Sequence, residues 1–369
     1  MTARDLRRAA RVAISRRALL GLPAATLLAS PDAQGGTGSR WLPLDAGAVL
    51  QRIAFGSCLH QDRPQPIWRR VIETKPDLFL MLGDNVYGDV SDAAPTELAG
   101  AYARQASHAD FRAAAEAMPF LATWDDHDYG RNDAGADFPF KAQSRELFAT
   151  FWGVPQAELP AAGIYRAVVI GPPGRRVQVI LLDLRTFRSA FAPRPAAERL
   201  MSGTPGPYKP DPDPAKTMLG ETQWAWLADE LRVPAELRIV VSSIQLLADA
   251  HGFERWGHLP HELERFCRLV AASGAGGVIV ISGDRHRAAI YRRTRGLPYP
   301  LYEITSSALN LSRAGAEPAD AGRLTPMLAE DNFGLFTIDW PRRRLGAGLR
   351  RLSGIPGEGI AIGFEEIGL

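Results

Sequence analysis

Apolar runs in this chain repeatedly stop on side chains that bind metals or anions, and this constrains its fold more than any other feature. RIAFGSC ends at Cys58, LFLMLGDNVYGD carries Asp84 and Tyr87, FLATWDDHD carries Asp126, His127 and Asp128, VILLDLR ends at Arg185, and VIVISGDRH carries Asp284 and His286. In an open α/β sheet the carboxyl ends of the strands form the ligand crevice, so strands that each end in an acid, a His or a Cys converge on one place. The pattern predicts a multinuclear metal centre.

Segments of helical period separate these runs. Strands are predicted over 52–55, 78–82, 120–124, 177–184, 238–243, 277–282, 302–306 and 335–340, and helices over 66–74, 96–118, 141–152, 221–232 and 262–273. In the helix from Glu221, the residues Trp224, Leu227 and Leu231 share one face and Pro234 closes the element. Near-continuous apolar strands suit a sheet covered on both faces, and their alternation with helices indicates a layered α/β domain. Residues 190–215, rich in Pro and Gly and without periodicity, read as a lid, a binding loop or a solvated excursion.

The formal net charge of +2 sits at the front: the first 33 residues hold six arginines against Asp5 and Asp32. The remainder is close to neutral, which does not suit a nucleic-acid-binding surface. Ser15-Arg16-Arg17-Ala18-Leu19-Leu20 followed by an apolar stretch to Ala29 resembles a twin-arginine export signal. A retained basic amphipathic anchor is the alternative; the stretch is far short of the roughly 20 residues that span a bilayer. We expect residues 1–33 to be the export signal, 34–50 a linker and 51–369 the folded domain. The expected location is periplasmic or secreted, with the export machinery as a partner and no stable membrane span. Of the two cysteines, Cys58 lies in the motif set, while Cys267 in HELERFCRLV falls on the buried face of a helix as a small hydrophobe, which argues against a disulfide.

The residue types suggest particular chemistry. A carboxylate at Asp84, turned into the crevice by Gly83, can bridge two cations. Phenolate at Tyr87 is a hard anionic ligand suited to ferric iron, and thiolate at Cys58 is a second strong donor. The run Asp125-Asp126-His127-Asp128 crowds like charges that need a cation or full exposure. Asp128 is placed to orient the His127 imidazole. Asn132 offers a neutral oxygen ligand or a turn residue, and Asp284 and His286 lie on one side of an extended segment. A buried guanidinium at Arg185 needs an anion, either a substrate phosphate or an acid such as Asp183. Among His251, His258 and His261, His251 is the first candidate to reach the site.

The ordered blocks GSC, GDNVYGD, TWDDHDYGRND, LDLRTFR, LGETQWAWL, SSIQ, FERWGHLP, SGDRH and YEITSSALN together resemble the alkaline phosphatase D (PhoD-like) family of metallophosphoesterases, over about 52–340. The resemblance implies a four-layer αββα sandwich that hydrolyses phosphomonoesters or phosphodiesters, with a small-molecule phosphate ester as substrate. GSC, Asp125-Asp126-His127-Asp128 and Gly283-Asp284-Arg285-His286 depart from the broader metallophosphoesterase pattern. They resemble the branch in which cysteine and tyrosine bind iron while neighbouring carboxylates bind calcium. On that basis Cys58, Asp84 and Tyr87 would hold Fe3+, and Asp84, Asp126 or Asn132, Asp284 and His286 would complete sites for Ca2+, with Zn2+ or Mn2+ as alternative metals. The β-sandwich domain that precedes the GSC block in such enzymes is expected to be missing.

The expected mechanism is in-line attack on phosphorus by a metal-bound hydroxide. Arg185 and Asn85 would contact the substrate, and His127, oriented by Asp128, would protonate the leaving oxygen. Two other readings compete: a phospholipase-like phosphodiesterase on the same fold, and a non-enzymatic calcium-binding protein.

Overall fold

The computed structural model describes residues 41–369, residue 316 excepted. The expected export signal and the front of the expected linker lie outside the described residues.

Two six-stranded mixed sheets form the frame. The first contains β1 (Arg52–Gly56), β2 (Leu78–Leu82), β3 (Phe120–Thr123), β12 (Asn332–Asp339), β13 (Arg344–Arg351) and β14 (Pro356–Gly363), in the order β14-β13-β12-β1-β2-β3. The second contains β4 (Arg166–Ile170), β5 (Val177–Leu181), β8 (Leu237–Ser242), β9 (Val278–Ser282), β10 (Ala288–Arg293) and β11 (Leu301–Ser306), in the order β10-β11-β9-β8-β5-β4. The central strands are parallel, β1 with β2 and β3 in one sheet and β5, β8, β9 and β11 in the other. Their carboxyl ends therefore share a side of each sheet.

Strand alternation builds the layers. In β2, Leu78, Leu80 and Leu82 face the other sheet, while Phe79 and Met81 face helices. In β8, Leu237, Ile239 and Val241 join the same inter-sheet core and Val240 turns to the opposite side. The helices α1 (Ile67–Glu73), α2 (Thr96–Ser107), α3 (Ala109–Ala117) and α5 (Lys141–Trp152) cover the first sheet, and α7 (Gly220–Glu230) and α8 (Pro260–Ser273) cover the second. The result is the expected αββα sandwich. Each large side chain so buried contributes about 1.5–3 kcal/mol, so three cores hold the strand ends on rigid supports.

Several expectations need correction. Residues 41–50 are not a free linker: Trp41 stacks on Trp152 at 4.6 Å, and the Leu50 carbonyl accepts a hydrogen bond from Trp340 Nε1 at 2.9 Å. The helix predicted over 96–118 is two, because His108 is extended, and the break brings Phe111 against Trp68 at 5.6 Å. The edge strands β4 and β10 and the hairpin β13–β14 extend beyond the predicted strands. Glycines obscure the pattern in β13–β14, and in β12 Gly334 lies opposite Phe55, whose ring occupies the space a side chain would need. Cys267 is buried and unpaired on α8, as expected. Among the described residues no helix is long and apolar enough to cross a membrane.

Candidate functional site

The turns that follow the central strands are strained where they present polar side chains. Seven non-glycine residues have positive φ among those described, and five of them are Cys58, Asp84, Asp133, Asp284 and His286. Such backbone is uncommon and persists only where its surroundings enforce it. Gly83, with φ +103°, permits the turn after β2, since a Cβ there would lie 2.5 Å from Asp125 Cβ.

These turns bring the expected ligands together. Asp84 Oδ2 lies 3.4 Å from Cys58 Sγ and accepts a hydrogen bond from Tyr87 Oη at 3.0 Å. Cys58, Asp84 and His286 place donor atoms within 4.8 Å of one another, as do Asp84, Asp125 and Asp126. A third such group is Asp126, Asp133 and Glu254. His286 Nδ1 donates to the Leu311 carbonyl at 2.5 Å, which leaves Nε2 as the ligating nitrogen. Asp84, Asp126, Asn132, Asp284 and His286 line one pocket of about 300 Å³.

Electrostatics favour cations there. Burial, with Cys58 and Asp126 as like-charged neighbours, raises Asp84 well above the usual carboxylate range. Burial, then Asp125 and Glu254, do the same for Asp284. Burial also pushes the Cys58 thiol up to about 11 and raises Tyr87 well above its ordinary value. Asp126 opposes the trend: burial raises it, but Arg185 and His127 outweigh that and hold it at about 2. Asp84 Oδ1 is buried without a hydrogen-bond partner. Crowded anionic donors with an open oxygen fit metal ions, which would relieve the repulsion that raises them.

His127 does not take its orientation from Asp128. Its Nδ1 is 2.6 Å from Asp89 Oδ1, and its ring packs on Tyr87 at 4.4 Å. Asp128 instead caps the short helix α4 (Asp126–Tyr129), accepting the Asp125 N–H at 2.6 Å and bonding to the Asn85 side chain. Asn85 is buried and also donates to the Thr123 carbonyl at 2.8 Å. It braces β2 against β3 rather than lining the pocket.

Arg185 also departs from its expected substrate contact. It is fully buried, donates through Nε to Asp125 Oδ1 at 2.6 Å, and pairs through Nη2 with Asp125 and, at 2.7 Å, with Glu254. Asp183, the other candidate partner, accepts the backbone N–H groups of Ile164, Arg185 and Thr186. Arg185 is thus the positive counterweight behind the acids.

The histidine-rich loop reaches the pocket through other residues. His251 Nε2 donates to Gln245 Oε1 at 2.8 Å and its Nδ1 accepts the Phe253 N–H at 3.1 Å. His258 bonds to the Phe253 carbonyl and His261 to the Lys216 carbonyl. Phe253 and Glu254 line the pocket instead. The Pro- and Gly-rich excursion carries α6 (Ala196–Ser202) between the paired strands β6 (Ala192–Pro193) and β7 (Tyr208–Lys209). Its Tyr208 donates to Asp133 Oδ2 at 2.5 Å, so this segment closes one side of the pocket. Sequence reading missed Asp133 and Glu254 as pocket acids, although TWDDHDYGRND and FERWGHLP contain them.

Comparison with known proteins agrees with this architecture. The chain is 24% identical over 290 residues to alkaline phosphatase D of Bacillus subtilis (strain 168), an alignment covering 67% of this chain and 48% of that protein. The chain thus spans about half the length of the curated relative it matches. A solved structure of PhoD superposes with a TM-score of 0.64 at 18% identity, covering 86% of this chain and 70% of that one. Purple acid phosphatase PPD1 from yellow lupin (Lupinus luteus) seeds gives 0.59 at 12% identity, covering 88% and 56%. These likenesses are of fold. The family described as PhoD-like phosphatase matches residues 53–332, a span that begins within β1 and ends at the first residue of β12, and the chain therefore belongs to that family.

Proposed function

We propose that this protein is an exported, metal-dependent phosphoric ester hydrolase. The observation that carries this reading is the convergence of Asp84, Asp126, Asn132, Asp284 and His286 on one pocket, with Cys58 and Tyr87 held against Asp84 and the imidazole of His127 beside them. Thiolate, phenolate, carboxylate and imidazole suit Fe3+, and the oxygen donors Asp84, Asp126, Asn132 and Asp284 suit Ca2+. Zn2+ or Mn2+ is the alternative filling.

Bound cations supply Lewis-acid polarisation of a phosphoryl oxygen and acidify water. The chain's own contribution is positional. Asp84 sits where it can serve both metal positions. Asp89 holds His127 by Nδ1, leaving Nε2 to carry a proton to the leaving oxygen. Tyr208 and Phe253 narrow the pocket and limit water. Arg185 pairs with Asp125 and Glu254 from behind and holds both carboxylates in place. Export rests on the twin-arginine-like leader, which implies the export machinery as a partner and a periplasmic or secreted location.

Metal analysis and a visible spectrum on protein from an exporting host, alongside hydrolysis of p-nitrophenyl phosphate, test the reading. Iron with a charge-transfer band that disappears in Tyr87→Phe supports the cysteine and tyrosine site. Zinc or manganese without such a band transfers the activity to the alternative metals. Calcium binding without hydrolysis of any ester would replace the enzyme reading by that of a calcium-binding protein.

A further inference from the structure

The pocket is lined by groups of opposite charge. Asp84, Asp126, Asp133, Glu254 and Asp284 are its acids, and Arg285, Arg287 and Arg313 line the same pocket. Arg285 and Arg287 are buried, and both direct their charge to one carboxylate: Arg285 Nη2 lies 2.7 Å from Glu317 Oε1 and Arg287 Nη1 lies 2.8 Å from Glu317 Oε2. Three guanidiniums against one carboxylate leave this group positive.

Arg313 is the member with charge to spare. Its backbone N–H donates to the His286 carbonyl at 3.1 Å, which fixes its chain position beside an expected metal ligand. Its exposed guanidinium has no acidic partner among the described residues. Behind it, Arg285 packs over the Phe253 ring at 4.3 Å, and its Nε is buried without a hydrogen-bond partner. An arginine group of this kind is complementary to phosphate oxygens. With Arg185 buried on Asp125 and Glu254, it is also the guanidinium surface that lines the pocket.

We propose that Arg313, backed by Arg285 and Arg287, is the anion subsite for the non-bridging phosphate oxygens, and that it makes the pocket selective for dianionic phosphomonoesters over singly charged diesters. This rests on the phosphoric ester hydrolase reading. A monoester carries close to two charges above its second pKa of about 6, whereas a diester carries one, so a surplus cation in the pocket discriminates between them.

The test compares Arg313→Gln and Arg313→Lys in the metal-loaded protein, with Arg295→Gln, exposed on the turn between β10 and β11, as a control. For p-nitrophenyl phosphate kcat/KM should fall about 10–100-fold in R313Q, with partial rescue in R313K, whereas methyl p-nitrophenyl phosphate should lose less than about threefold. Equal losses on both esters, or none, would overturn the proposal. Calorimetric binding of inorganic phosphate, with dimethyl phosphate as the singly charged reference, separates this subsite from the activity itself. If the wild type hydrolyses neither ester, the hydrolase reading falls, and the subsite is still decided by phosphate binding. Affinity about 10-fold weaker in R313Q supports it, and unchanged affinity removes it.

Discussion

His127 Nδ1 lies 2.6 Å from Asp89 Oδ1, although Asp128 is its neighbour in the chain. The pairing joins the turn after β2 to the start of α4, so two strands define the position of one imidazole. Asp128 points the other way, into the cap of its own helix.

This relationship predicts different outcomes for neighbouring acids. His127→Ala should lower kcat about 100-fold or more for alkyl esters and much less for activated aryl esters, and Asp89→Asn should follow the same leaving-group pattern at about one tenth of the effect. Asp128→Ala should instead lower stability by about 1–2 kcal/mol through the lost cap. Leaving-group series and thermal melts on the three variants check this; an equal loss across esters in H127A would remove the acid role.

Removing Arg185 should unfold rather than detune. It is buried against Asp125 and Glu254, and stripping one partner from a buried ion pair typically costs about 3–5 kcal/mol. Arg185→Met should therefore show a depressed melting temperature and reduced metal content, with phosphate affinity per loaded site unchanged. A stable variant with only a raised KM would restore Arg185 to the substrate.

Glu303 gives stability a pH dependence away from the metal ligands. Burial pushes it from its ordinary 4.5 up to about 7, despite N–H groups of Leu246 and Leu247 that favour the carboxylate. A raised folded pKa means the folded state retains the proton that the unfolded chain releases. Its stabilising contribution is therefore complete below about pH 4.5 and is lost as pH rises to about 7. Relative to Glu303→Gln, the wild type should lose up to about 3 kcal/mol over that window. Urea unfolding of both proteins at fixed metal content, from pH 4.5 to 8, measures it; parallel curves would refute the shift.

Gly83→Ala tests the strained turn. At φ +103° any side chain is strained, and its Cβ would sit 2.5 Å from Asp125 Cβ. We expect a loss of about 2 kcal/mol or more, together with weaker metal binding because Asp84 follows directly. Chemical denaturation and metal titration read the two effects separately.

The motif-bearing strand ends were legible because near-continuous apolar runs stopped on Cys58, Asp84, Asp126, Asp284 and His286, and parallel strands bring their carboxyl ends to the same side. The hairpin β13–β14 was only partly legible, since Gly346, Gly348, Gly357 and Gly359 interrupt the alternation of Leu345, Ala347, Leu349 and Ile362 that packs it on the core. The partners of polar side chains were not legible at all. Asp128 is adjacent to His127 yet caps the helix, because a helix start draws a nearby carboxylate to its free N–H groups, and Asp89, 38 residues upstream, takes the imidazole. Arg185 was recognised as a guanidinium that needs an anion, but which anion depended on where Glu254 arrived from a distant loop. The amino-acid sequence alone determined the layers and the donor types, because both follow from local periodicity and composition. Only the tertiary structure decided which charge faces which, because that depends on distances between segments that are remote in the chain.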